Sequence, residues 1–264
     1  MDIIKKIIAF TNQKGGVGKT TTCINLASVL ALGGYSVLIV DMDPQGNCSS
    51  GVGVVKNTTS IYDVIVGKKS INDASIIRKT CVENLDIIPA GSNLAGAEVE
   101  LVNIKAPREY VLKTELAKLE KEYNFIFIDC PPSLSLLTVN ALTCCDSIFI
   151  PIQCEFFALE GLSQLIYTVK QVKQYLNSKI FIEGIVLNMF DNRSNLTRQV
   201  ENEIVKYFNE KLYITKIPRN IRLAEAPSHG MPVAVYDSKC TGAKAYFALG
   251  EEFINRQCRR KYGC

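Results

Sequence analysis

At 264 residues, with 47% hydrophobic and 21% charged residues, the chain has the length and composition of one large α/β domain with a filled core, which argues against a long disordered arm. Its net charge of +4 permits weak attraction to a polyanion without demanding it. Ten cysteines scattered through apolar runs, with no CxxC pair, argue against a zinc knuckle or a thioredoxin-type redox site and for reduced, mostly buried thiols, and no apolar stretch is long enough to span a membrane.

In chain order, residues 6–11 form a short apolar run that ends in a glycine-rich turn, the pattern of a buried parallel strand. A helix is predicted over residues 20–32, where Ile24, Ala27, Leu30 and Ala31 share a face before Gly33 and Gly34 stop it. A second strand runs from 36 to 40 and closes at Asp41, completing a right-handed βαβ unit. Further strands are predicted at 85–88, 125–128, 147–150, 180–187 and 212–217. Between them, Leu159, Leu162, Leu165, Ile166, Val169, Val172 and Leu176 mark a long amphipathic helix, and Val200, Ile204 and Phe208 mark another. This alternation predicts a doubly wound, mostly parallel α/β sheet with helices on both faces, in a single domain covering residues 1–264.

The segment Lys14-Gly15-Gly16-Val17-Gly18-Lys19-Thr20 lies between the first strand and the first helix. Main-chain N–H groups at a helix N-terminus form an anion site, and glycines let the backbone wrap a phosphate closely. In such a P-loop, Lys19 would meet the β- and γ-phosphates of ATP and the Thr20 hydroxyl would ligate Mg2+, with Thr21 beside it. The segment departs from the common form, because Gln13 stands where the first glycine belongs and Lys14 opens the glycine run. Asp41 and Asp43 follow the second strand, where carboxylates face the ligand crevice. Asp129 ends an apolar strand in the manner of a Walker B residue and would hold Mg2+ through water. Taken alone, an aspartate that follows a strand can also be no more than a helix cap.

The KGGxGKT form resembles the deviant Walker A loop of the ParA/MinD family of P-loop ATPases. The resemblance runs on through residues 43–47, 94–98, 129–134, 158–162 and 217–228, and is nearest to the small chromosomal ParA (Soj) group. It implies that Lys14 reaches across a nucleotide-sandwich homodimer to the partner's phosphates, as an arginine finger does. It also implies that Asp43 orients or activates the attacking water close to the metal, within a switch loop. With Lys14, Lys19 and Asp43 as the catalytic set, the expected activity is hydrolysis of MgATP. Asn188, Pro218 and Asn220 are the expected neighbours of the base.

Proteins of this group bind double-stranded DNA nonspecifically as ATP dimers and partition chromosomes or plasmids with a ParB-like, centromere-binding partner. The implied location is cytoplasmic and nucleoid-associated, with no membrane partner. Arg193 and Arg222 match family positions implicated in DNA contact, and Arg219 is a third candidate, with Arg198 nearby; by composition alone such arginines would simply solvate a face. The alternative, a MinD-like membrane-cycling ATPase, needs an amphipathic C-terminal helix, for which residues 253–258 carry few large apolar side chains. An iron–sulfur ATPase would need two well-placed thiolates per chain. His229 reads as a loop residue, and the basic tail from Arg256 onward as a solvated run.

Overall fold

Apolar runs without alternation become strands that are covered on both sides. In the computed structural model, which describes residues 5–55, 59–103 and 107–262, they do so here. The elements follow the order β1 (Lys6–Phe10), α1 (Lys19–Leu32), β2 (Val37–Asp41), α2 (Asn47–Gly51), α3 (Ile61–Ile65), β3 (Arg78–Lys79), β4 (Leu85–Ile88), α4 (Leu94–Asn103) and α5 (Val111–Leu116). Then come β5 (Phe125–Asp129), α6 (Leu136–Cys144), β6 (Ser147–Gln153), α7 (Ala158–Tyr175), β7 (Phe181–Asn188), α8 (Asn195–Phe208), α9 (Ile221–Glu225), α10 (Val233–Tyr236) and α11 (Thr241–Tyr262). The strands lie in one sheet in the order β3-β4-β2-β5-β1-β6-β7. All pairings are parallel except that of the two-residue edge strand β3 with β4.

Successive side chains of a strand point to opposite faces, so each run supplies two cores. Ala9, Leu38, Val40, Ile128 and Ile150 join one cluster with residues of α3 to α8. Ile8, Phe10, Ile39, Phe125, Phe127 and Phe149 join the other, under α1, α10 and α11. On that face α11 buries Ala243, Tyr246, Leu249 and Phe253, spaced three or four residues apart along one stripe. The ring of Phe253 lies 5.3 Å from that of Phe125 and 6.1 Å from that of Phe127. Full burial of a side chain such as Leu249 or Phe253 contributes about 1.5–3 kcal/mol, which anchors α11 firmly to the sheet.

Two expectations need correction. Residues 212–217 form no strand: parallel bridges occur only at Leu212, to Ile185, and at Pro218, to Phe190. The Glu252 carboxylate takes the amides of Ile214 and Thr215, at 3.0 and 2.9 Å, and thereby interrupts a ladder along β7. Tyr213 turns inward to pack on Phe149 while Ile214 is left 85% exposed. Nor is the basic tail merely solvated. Arg256 lies 4.0 Å over the Tyr213 ring, and Arg260 pairs with the buried carboxylate of Glu183. The thiols of the nine described cysteines are free, six of them buried. His229 stacks on Tyr236 in a short 3-10 turn. No described helix is long and apolar enough to cross a membrane.

Candidate functional site

The strands β2, β5 and β1 end side by side, with Asp129 in register with both Asp41 and Phe10. The chain leaving β1 is therefore delivered beside two carboxylates. Asn12 shapes the exit: its Nδ2 donates to the Pro151 carbonyl at 2.8 Å, and its Oδ1 accepts the Lys14 N–H at 3.0 Å. Gly16 and Gly18 adopt φ of 76° and 87°, the left-handed region that side chains disfavour, which turns the loop into α1. No side chain caps α1 and no acidic residue stands in its first turn. The leading N–H groups of the helix and the positive end of its dipole are thus left for an anion.

Lys19 is 7% exposed, and its Nζ donates to the Lys14 carbonyl at 3.0 Å. Burial holds its pKa below the usual lysine value, opposed by the charges of Asp129 and Asp43. The Thr20 hydroxyl donates to Asp129 Oδ2 at 2.7 Å. Asp129 is fully buried, and its Oδ1 has no hydrogen-bond partner among the described residues. Burial, with the neighbouring charges of Asp41 and Asp43, pushes its pKa well above the carboxylate range.

The two acidic residues after β2 differ in their surroundings. Asp41 is spent inside the fold: its Oδ2 accepts the Ser49 N–H and hydroxyl at 2.8 and 2.7 Å, and its Oδ1 accepts the Asp43 N–H at 3.2 Å. Burial pushes its pKa up to about 6 despite those bonds. Asp43 instead lines a cavity of about 810 Å³, and its Oδ1 accepts the Gln45 N–H at 2.9 Å.

That cavity gathers many of the residues singled out from the sequence. Gly15, Gly16, Gly18, Lys19, Thr20 and Thr21 form one wall, and Asn188, Pro218, Arg219 and Asn220 another. Its apolar parts come from Ile217, Leu223, Pro227 and Met231, which suit a planar base. Asn220 also caps α9, accepting the Arg222 N–H at 2.8 Å. Val17 turns its side chain into the core, 1% exposed. Lys14 does not line the cavity; its ammonium pairs with Glu155 of the same chain. Arg193 lies outside, held by Asp191 at 3.0 and 3.1 Å, and Arg222 meets Glu225 at 2.8 Å and Asp237 at 3.5 Å. Arg219, assigned from the sequence to DNA, stands on the cavity wall.

Two participants had no mark in the sequence. Glu155 is distant from the loop in sequence, and Tyr246 reaches the cavity wall from α11 across 224 residues, beyond the range of any local pattern.

A family model described as an AAA domain matches residues 5–182. The chain is 55% identical to the sporulation initiation inhibitor protein Soj of Bacillus subtilis, over 94% of this chain and 97% of that protein. It is 50% identical to the chromosome-partitioning ATPase Soj of Treponema pallidum, over 97% and 99% of the two chains. Among solved structures, cobyrinic acid a,c-diamide synthase of Mycobacterium smegmatis, with bound ADP and magnesium, superposes with a TM-score of 0.83 at 32% identity, covering 98% of this chain and 97% of that one. A glycine-turned loop feeding an uncapped helix beside a buried aspartate is thus joined to 50–55% identity over nearly the whole length of two Soj proteins, and the chain belongs to the Soj/ParA family of chromosome-partitioning ATPases.

Proposed function

We propose that this protein binds and hydrolyses MgATP as a single ATPase unit, dimerises in the ATP state, holds double-stranded DNA nonspecifically as that dimer, and acts in partitioning with a ParB-like partner. The observation that carries the proposal is the convergence of Lys19, Thr20 and Asp43 on one cavity over the uncapped start of α1, with Asp129 bonded to Thr20 behind them. The loop N–H groups and the Lys19 ammonium suit the phosphates, and the apolar wall around Pro218 suits the base. The Thr20 hydroxyl and the unspent oxygen of Asp129 make an all-oxygen donor set, which fits Mg2+. Thr20 and Asp129 would hold Mg2+ there, where it would supply positive charge against the phosphates.

Asp43 orients the attacking water from the switch loop, which Asp41 and Ser49 hold against the end of β2. Lys14 serves the partner subunit's nucleotide, and to do so it exchanges Glu155 for phosphate. Arg193 and Arg222 would pair DNA phosphates in place of their present carboxylates, so each contact is weak and retention depends on joining two subunits.

Gel retardation of nonspecific DNA with ATP, with ADP and without nucleotide tests the proposal. Retardation only with ATP is the expected result. Equal retardation in all three lanes would break the link between nucleotide and DNA, and none at moderate salt would favour a membrane-cycling role, as in MinD-type ATPases.

A further inference from the structure

Asn188 closes the carboxyl end of β7 against the phosphate loop. Its Nδ2 donates to the Val17 carbonyl and to Thr22 Oγ1, each at 2.9 Å. An amide nitrogen carries only two N–H bonds, so these two short contacts, with the Gly18 carbonyl a longer third acceptor at 3.4 Å, fix the orientation of the side chain. The approach is tight, since a Cβ at Gly18 would meet Asn188 Nδ2 at 2.6 Å. In a trans peptide the carbonyl and the following N–H point opposite ways. Holding the Val17 carbonyl on Asn188 therefore sets the direction of the Gly18 N–H, one of the amides in the loop.

The same contact is held from behind. Thr22 Oγ1 lies 3.3 Å from Tyr246 Oη. Tyr246 is fully buried on α11, yet it is among the residues that wall the cavity. Burial pushes its pKa above the usual tyrosine value, so the phenol stays neutral and available for hydrogen bonding. The hydroxyls of Tyr246 and Thr22 thus complete a file of hydrogen bonds from α11 through α1 and β7 to the carbonyl of Val17. Phe253, on the same helix, packs against Phe125 and Phe127 and takes no part in that file.

We propose that Tyr246 is a positioning residue of the nucleotide site, which acts through Thr22 and Asn188 to hold the Val17–Gly18 peptide of the phosphate loop in its binding orientation. This rests on the assignment of that loop to ATP. The C-terminal helix is then part of the site as well as part of the core.

Calorimetric titration of the full-length protein with ATP and Mg2+ tests it through Tyr246→Phe, Asn188→Ala and the double variant. Tyr246→Phe should weaken ATP binding about three- to tenfold, the effect of one lost hydrogen bond. The double variant should bind no more weakly than Asn188→Ala alone, because both act on one file. Phe253→Leu should lower the melting temperature and leave ATP affinity unchanged. Independent, multiplying losses in the double variant, or a loss in Phe253→Leu equal to that in Tyr246→Phe, would overturn the file. Lys19→Ala should abolish binding in the same titration; normal affinity there would sink the ATP assignment itself, a failure distinct from that of Tyr246.

Discussion

Two fully buried acids sit at opposite ends of the same parallel sheet, and their surroundings could hardly differ more. Glu183, at the amino end of β7, is met by Lys6 and Arg260 and accepts further bonds from Ser147 at 2.7 Å and Gln257 at 2.8 Å. Burial would raise its pKa, but the charge and hydrogen bond of Lys6, the charge of Arg260 and the bond from Ser147 more than offset that and hold it below the usual value. Asp129, at the carboxyl end of β5, has the Thr20 hydroxyl on one oxygen and no described partner on the other, and its pKa is raised. A buried charge is costly unless paired. The saturated acid at one end fastens strands to the C-terminal helix, whereas the half-satisfied acid at the other suits a site completed from outside the chain.

Removing each acid should therefore change stability in opposite directions. The largest effect is expected for Glu183→Ala, which strands two cations against a sealed site and should cost about 3–5 kcal/mol, as for other broken buried pairs. In thermal unfolding at pH 7 that is a fall of about 10 °C for a chain of this size; a fall within experimental error would erase the contrast. The pH dependence follows from the depressed pKa. The contribution of Glu183 is fully present above the unfolded glutamate value near about 4.3 and is lost as pH falls through the lower folded value. The gap between wild type and Glu183→Ala should accordingly narrow below about pH 4, and a gap independent of pH would show that packing, not charge, fastens this end.

A smaller effect, of opposite sign, is expected for Asp129→Asn. Without nucleotide, the loss of a buried, half-satisfied acid should raise the melting temperature by a few degrees, equivalent to about 1 kcal/mol, while Mg2+-dependent retention of ATP falls. A lower melting temperature would mean that Asp129 is as structural as Glu183. The smallest change in stability is expected for Arg222→Glu, whose pairs with Glu225 and Asp237 are exposed to solvent and therefore contribute little. Its effect should appear instead in ATP-dependent DNA retention, and unchanged retention at moderate salt would remove this arginine from the interface.

Much of the fold was legible in the sequence because its signals are local. The unalternating runs at 125–128 and 180–187 became the central strand β5 and the edge strand β7, each within one residue of its predicted bounds. The alternation of strands and helices announced a parallel sheet covered on both faces, and the helix patterns at 20–32 and 159–176 shifted by one residue. Residues 212–217 misled because an apolar run does not reveal that its amides will be taken by Glu252, 38 residues away. The tail misled for the same reason, since Arg260 finds Glu183 across 77 residues.

The sequence by itself determined the phosphate loop. Left-handed glycines, a lysine and a threonine at a strand-to-helix junction carry their geometry within seven residues, and main-chain N–H groups at a helix start need no distant partner to attract an anion. Only the tertiary structure decided which acids are spent and which are not. Strand order brought Asp129 to Thr20 across 109 residues, left Asp41 to Ser49, and set Tyr246 behind the loop. The physical reason is that charge and hydrogen-bond saturation depend on every group within a few ångströms, and the sheet draws those groups from the whole length of the chain.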